Sequence, residues 1–229
     1  MKAICLAPSL CLLVCLGCGG EPKLNKEPLS HWTAQLQSES PDISRAAAMT
    51  LSKNSAKAKK AIPALVKALQ GKDAVTRRTV ASTLGKMGTD AAQAVPDLVK
   101  LLQDGDSDLR RVGAETLGDL AKAGAEVKAA APGLVKLLQD KAPGARRAAA
   151  DTLGLVAKSG AEAKAAVPEL TKSLLDMEPS VRTAAARALG QMGTEAKPAV
   201  PTLVRLLQDA NLEVRSAAAE AYKKIEQKK

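Results

Sequence analysis

The chain has no phenylalanine, one tryptophan, one tyrosine and one histidine among its 229 residues. Without aromatic rings a core has to be assembled from Leu, Val and Ala, which suits closely packed helices. Small side chains bury little area each, so many thin, repeated contacts are expected in place of one large hydrophobic centre. The same scarcity removes the rings on which single-stranded nucleic acid is held, so nucleic acid is a disfavoured partner even at a formal charge of +10. That charge favours acidic partners in general. All four cysteines, Cys5, Cys11, Cys15 and Cys18, lie near the N-terminus, which leaves none for a disulfide or a thiolate metal site further on. The only histidine, His31, stands beside Trp32. No glycine-rich phosphate loop, nucleophile and base pair, or strand pattern is evident, so no catalytic residue, cofactor or metal is called for and a non-enzyme is expected.

The segment MKAICLAPSLCLLVCLGCGG places Lys2 ahead of an apolar run from Ala3 to Leu16. That run is short for a membrane span and fits an export signal. Its end, Leu16-Gly17-Cys18-Gly19-Gly20, resembles a bacterial lipoprotein signal, in which the Cys is lipidated and becomes the mature N-terminus. Cys15 departs from the Leu, Val or Ile usual three places before the modified residue. The resemblance implies a signal peptide over 1–17, lipidation of Cys18, a short tether over 18–28 and an anchored place in the cell envelope. Gly19 stands where some bacteria carry an Asp that retains lipoproteins at the inner membrane, which points to an outer one. A simple cleaved signal or an uncleaved anchor is the alternative.

From 29 to 229 one unit is written about six times. Pro63, Pro96, Pro132, Pro168 and Pro201 recur at intervals of 33, 36, 36 and 33 residues. Each is followed two residues on by Leu (Leu65, Leu98, Leu134, Leu170, Leu203) and fourteen on by Arg (Arg77, Arg110, Arg146, Arg182, Arg215). Seven residues past each Arg comes Leu84, Leu117, Leu153, Leu189 or Tyr222, and the four leucines are each followed by Gly. Extending the register backward puts Ser30, Trp32, Ser44 and Leu51 in the matching slots of a degenerate first copy, with Trp32 covering the open end of the core. The closing YKKIEQKK reads as a polar cap.

Within a copy the apolar spacing predicts two helices. AVPDLVKLLQ aligns Leu98, Leu101 and Leu102, and LRRVGAETLGDL aligns Leu109, Val112, Leu117 and Leu120. The intervening DGDSD offers carboxylates to cap the second helix. The Pro marks the first turn of the first helix or bends it. The three extra residues of the longer copies are assigned to loops.

The pattern A-V-P-x-L-V-x-L-L-x-D followed by V/L-R-x-x-A-A-x-x-L-G resembles the HEAT repeat, in the form shared with subunits of phycobilisome lyases. The resemblance implies an all-α, armadillo-type solenoid of antiparallel helix pairs, with second helices lining a concave side that receives other macromolecules. It says little about chemistry. HEAT-like deoxyhypusine hydroxylases hold iron with His-Glu pairs, and this chain has none.

Two arginine columns follow from the register. The first, Arg77, Arg110, Arg146, Arg182 and Arg215, falls in the opening turn of each second helix, where the macrodipole disfavours a cation. Asp104, Asp140, Asp176 and Asp209 close the first helices and are the expected partners, from the same or the adjacent unit, in a structural ladder. The second column, Arg45, Arg78, Arg111 and Arg147, is not needed for that ladder, and the slot then becomes Thr183 and Ser216. These four are either a basic strip contacting an acidic protein partner or simply a solvated face. Lys67, Lys100, Lys136, Lys172 and Arg205 sit near the ends of the first helices, where the macrodipole favours them.

Three functions compete on this reading. A membrane-tethered protein scaffold with an acidic partner in its groove leads; a lyase or chromophore-handling protein and a non-specific nucleic-acid binder follow.

Overall fold

The computed structural model describes residues 22–156 and 160–227. The signal segment and Cys18 lie outside the described residues. Among the described residues twelve α-helices form six antiparallel pairs: α1 Leu29–Gln35 with α2 Pro41–Lys53, α3 Ile62–Ala68 with α4 Ala74–Lys86, and α5 Val95–Leu101 with α6 Ser107–Lys122. The series continues with α7 Ala131–Leu137 and α8 Pro143–Val156, α9 Gly160–Ser173 and α10 Pro179–Met192, then α11 Val200–Leu206 and α12 Leu212–Gln227. The six expected copies are therefore six helix pairs.

Local chemistry sets the boundaries. Pro63, Pro96, Pro132 and Pro201 occupy the first turn of their helices, where the missing N–H costs nothing. Pro168 instead lies inside α9, which starts earlier. Asp73 caps α4 through the Thr76 N–H, and Asp106 caps α6 through the N–H groups of Asp108 and Leu109. Gly88 and Gly193, at φ of 58° and 60°, turn the chain out of α4 and α10 into short 3₁₀ segments.

The three extra residues do not all fall in loops. In the third copy they lengthen the second helix, since α6 has 16 residues and α4 has 13. Continuing an amphipathic helix satisfies backbone groups that a longer loop would leave to solvent.

A second correction concerns the tether. From Pro22 the chain is folded: Lys23–Leu24 pairs with Glu27–Pro28 in an antiparallel hairpin. Its two turn residues, Asn25 and Lys26, both have positive φ, as the tightest hairpin turn requires. Leu24 is buried, the Leu29 N–H donates to the Pro22 carbonyl, and the Trp32 Nε1–H donates to the Leu24 carbonyl at 2.9 Å. The hairpin and Trp32 thus close the first repeat together, and the described fold reaches back to Pro22, seven residues before the expected start of the repeats at 29. The absence of any strand pattern is corrected by the same hairpin.

The core is a continuous ribbon of Leu, Val and Ala through all six pairs. Each second helix packs on the next, α2 on α4 through to α10 on α12, whereas first helices meet the following copy largely through its 3₁₀ segment. The second helices are the layer in which consecutive copies approach each other most extensively, helix against helix.

Gly118, Gly154 and Gly190 explain that spacing. A Cβ on Gly190 would lie 2.9 Å from the Ala221 Cα, one on Gly154 2.9 Å from the Ala188 Cα, and one on Gly118 2.9 Å from the Thr152 Oγ1. Each meets the second helix of the following copy. The glycine recognised only as a recurring letter is what lets these helices approach.

Candidate functional site on the second-helix face

The first arginine column makes the ladder, and each rung joins consecutive copies. The Arg110 Nε–H and Nη2–H donate to the two Asp140 oxygens at 2.6 and 2.9 Å. Arg146 holds Asp176 at 2.7 and 2.8 Å, and Arg182 holds Asp209 at 2.8 and 2.9 Å. Meanwhile Nη1 of each arginine reaches back to its own interhelical loop, as Arg110 does to the carbonyls of Asp104 and Gly105. The aspartate in turn accepts a loop N–H, that of Ala142 for Asp140. One guanidinium therefore ties two loops into one angle. Both side chains of the Arg110–Asp140 pair are largely buried, at 17% and 11% exposure, so the fork-to-fork geometry is needed to offset desolvation.

Electrostatics follow geometry. Arg110 holds the Asp140 carboxyl below its ordinary value, with the Ala142 N–H assisting against burial. Asp209 is lowered chiefly by Arg182. For Asp176 burial pulls upward most strongly, yet Arg146 and the Glu178 N–H together carry it below the ordinary value. The Arg77–Asp104 rung is looser: Nη2 alone reaches both oxygens, at 3.2 and 3.3 Å, and the buried Arg77 Nε–H has no partner among the described residues.

The second column is not one uniform strip. Arg45 belongs to the ladder, because its Nε–H and Nη2–H hold both oxygens of Asp73, which also accepts from the Thr76 N–H and Oγ1–H. Two register changes compensate here. The first copy has Ser44 in the ladder slot, and the second has Gly71 where later copies have the rung aspartate. The rung has moved to Arg45 and Asp73, and Asp73 is held far below the usual carboxylate range by Arg45 and Thr76.

The remaining three arginines each have acids beside them. Arg78 reaches Asp108 of the next copy at 3.0 Å. Arg111 holds Glu115 on its own helix at 2.8 Å and Asp108 at 3.4 Å. Arg147 makes the loosest pair, 3.6 Å from Asp151, with 61% of its side chain exposed. Desolvation dominates at Asp151 and raises its carboxyl despite Arg147 and Arg187. These acids were not singled out from the sequence, although Arg-to-acid spacing of four places, as in Arg111 and Glu115, is a readable signal.

Arg111 and Arg147 line an open cavity of about 570 Å³ spanning α6, α8 and α10, together with Glu115, Asp119, Lys122 and Asp151. Its walls carry both signs of charge. The lysine column lies elsewhere, with Lys100 paired to Asp97 and Lys172 to Glu169 in exposed positions on the first helices. His31 contacts Gln35 and the edge of Trp32 in the end repeat. No group of His, Cys, Asp and Glu among the described residues has a metal-binding arrangement.

Stacked helix pairs joined by a repeated arginine–aspartate rung define an α-solenoid. The sequence profile of HEAT repeats matches residues 29–118, 95–176 and 167–229, and the chain belongs to the HEAT-repeat family. Among solved structures it is similar to an engineered protein from a structural genomics consortium, with a TM-score of 0.69 and 27% identity over 86% of this chain and 96% of that one. A designed armadillo repeat protein in complex with the peptide (KR)4 has a TM-score of 0.67 at 22% identity, over 86% of this chain and 99% of that one. The CpcE–CpcF complex of phycocyanin lyase from Nostoc sp. gives 0.62 and 28% identity, over 95% of this chain and 82% of that one. No curated protein matches significantly. The repeat-protein fold is typical of protein-interaction scaffolds.

Proposed function

We propose that the protein is a non-catalytic scaffold that holds an acidic protein segment along the cavity between α6, α8 and α10. The observation that carries this reading is Arg147, exposed on the cavity wall and only loosely held by Asp151 at 3.6 Å. An incoming carboxylate at hydrogen-bond distance replaces that long pair at little cost, whereas the Arg45–Asp73 rung would resist exchange. Arg111 is the second contact and Arg78 lies at the margin, so the strip narrows to its C-terminal half. Lipidation of Cys18 would place this groove at an envelope membrane.

The test is to immobilise residues 22–229 beside an Arg111→Glu/Arg147→Glu variant and an outer-face Lys67→Glu/Lys136→Glu variant, and to identify proteins captured from solubilised envelope. Capture that survives on the outer-face variant, falls with salt and is lost on the groove variant supports the reading. Equal capture by the groove variant rejects it. The likeness to the phycocyanin lyase complex over 95% of this chain favours a second reading, chromophore handling. An unchanged bilin absorbance spectrum on titration with the protein removes it.

A further inference from the structure

The ladder skips one position. By the register, the rung between the first and second copies should run from position 44 to position 71, where Ser44 and Gly71 stand in place of Arg and Asp. Arg45 and Asp73 tie these two copies together instead. Their contact does not refill the skipped position. A cavity of about 520 Å³ opens there, with Ser38, Glu39, Ser44, Gly71, Lys72 and Asp73 in its walls. That volume lies in the range of small-molecule sites. A Cβ on Gly71 would meet only the Ala68 carbonyl of its own turn, at 3.2 Å, so no group of the first copy fills the space an aspartate side chain would take.

The backbone around this cavity is nonetheless that of a rung. In the first copy the N–H groups of Gln37, Ser38 and Ser44 donate to the carbonyls of Ala34, Gln35 and Ser40, as those of Gln103, Asp104 and Arg110 do to Lys100, Leu101 and Asp106 in the third. The Ser38 and Glu39 carbonyls therefore match the Asp104 and Gly105 carbonyls that receive Nη1 of Arg110, yet they accept no hydrogen bond among the described residues. On the second loop the donor is the orphan. Asp104, Asp140, Asp176 and Asp209 each accept the N–H two residues on. Gly71 cannot, so the Asp73 N–H has no acceptor among the described residues. Arg77 fixes this loop through the Gly71 and Lys72 carbonyls. The Asp73 carboxylate is already engaged by Arg45 and Thr76. Glu39 on the first loop and Lys72 on the second make no ion pair among the described residues. One loop thus supplies acceptors and a carboxylate, the other a donor and an ammonium.

We infer that the skipped rung is a binding site for arginine with a free α-carboxylate, either the amino acid itself or the C-terminal residue of a polypeptide. The guanidinium takes the Ser38 and Glu39 carbonyls and the Glu39 carboxylate, as ladder guanidinium groups take the carbonyls of their own loops. The α-carboxylate takes the Asp73 N–H and Lys72, as each rung aspartate takes the N–H two places on. The five intact rungs, Arg45–Asp73 aside, are the template: Arg77, Arg110, Arg146, Arg182 and Arg215 all hold two loop carbonyls through Nη1. A lone cation or a lone anion would satisfy only one of the two loops. The site lies on the loop edge between the first two copies, apart from the cavity between α6, α8 and α10, and either assignment stands if the other fails.

The experiment is calorimetric titration of the full chain with L-arginine, L-citrulline, arginine amide and an N-acetylated tripeptide, Ala-Ala-Arg, with a free carboxylate. The expected result is one arginine site per chain. Citrulline, which keeps the shape and loses the charge, and arginine amide, which loses the carboxylate, should each bind about tenfold more weakly, as loss of a charge-assisted contact implies. Tighter binding of the tripeptide than of arginine assigns the site to a polypeptide end, and weaker binding assigns it to the free amino acid. Ser44→Arg/Gly71→Asp supplies the chain's own rung, so it should abolish binding while thermal unfolding stays unchanged or rises, which separates a filled site from a lost fold. Lys72→Gln, at an exposed residue, should weaken arginine binding and leave unfolding unchanged, and it gives the same reading if the double variant does not fold. Absence of binding by both arginine and the tripeptide, equal binding of citrulline or arginine amide, or undiminished binding in the folded variants overturns the assignment.

Discussion

Replacing Gly190 by Ala sets two opposed effects against each other, and the structure decides the sign. An alanine within a helix is favoured over glycine by about 1 kcal/mol. At Gly190, however, the added Cβ meets the Ala221 Cα at 2.9 Å and its Cβ at 3.2 Å, both on the neighbouring helix. Backbone cannot rotate away as a side-chain tip can, so α10 and α12 must separate. Overpacking of this kind costs about 1–3 kcal/mol. The net expectation is a loss of up to about 2 kcal/mol for Gly190→Ala after the helix gain is subtracted. Gly85 is the internal control, since its nearest neighbour is the Thr116 Cγ2 at 3.4 Å, an ordinary contact. Gly85→Ala should therefore be neutral to stabilising, by up to about 1 kcal/mol. Urea unfolding of both variants measures the signs, and hydrogen exchange locates the Gly190→Ala effect in α10 and α12, because a solenoid transmits strain to its nearest neighbours. Stabilisation by Gly190→Ala, or equal losses in both, would refute the claim that glycine sets the spacing of the second helices.

Three further outcomes follow from the charges. Asp140→Ala should cost about 3 kcal/mol in urea unfolding, because it strands a largely buried Arg110, and Arg110→Met/Asp140→Leu should recover much of that loss. Asp73, Asp140, Asp176 and Asp209 are all lowered in the folded state, so the unfolded chain binds more protons through their titration range. Stability should be fully present above the ordinary Asp value of about 3.9 and fall as pH drops below it, with a shallower fall in Asp140→Asn, measured by thermal unfolding across pH. Asp151 has the opposite shift, raised by burial, so removing its charge in Asp151→Asn should be neutral to stabilising at pH 7 in thermal unfolding, in contrast to the rung aspartates.

The repeat and its ladder were legible in the sequence because both depend on intervals. Leucines spaced for one helix face, a Pro at the first turn, and an Arg and an Asp at fixed offsets express local geometry that the backbone imposes on any chain with those letters. The linear order left open which copy each Asp answers to, and the structure gives it to the preceding copy, since the stacking angle brings Arg110 against Asp140 and not against Asp104. It also left Arg45 in the wrong column, because two compensating register changes in neighbouring copies are invisible until Arg45 and Asp73 are brought together. The acids beside Arg78, Arg111 and Arg147 divide what reads as one strip into a paired margin and one loosely held contact. Tertiary packing alone decided the glycine contacts. A residue's slot says what it would touch in a full stack, but only the assembled neighbours determine that a Cβ on Gly190 meets the Ala221 backbone while one on Gly85 meets side-chain atoms alone.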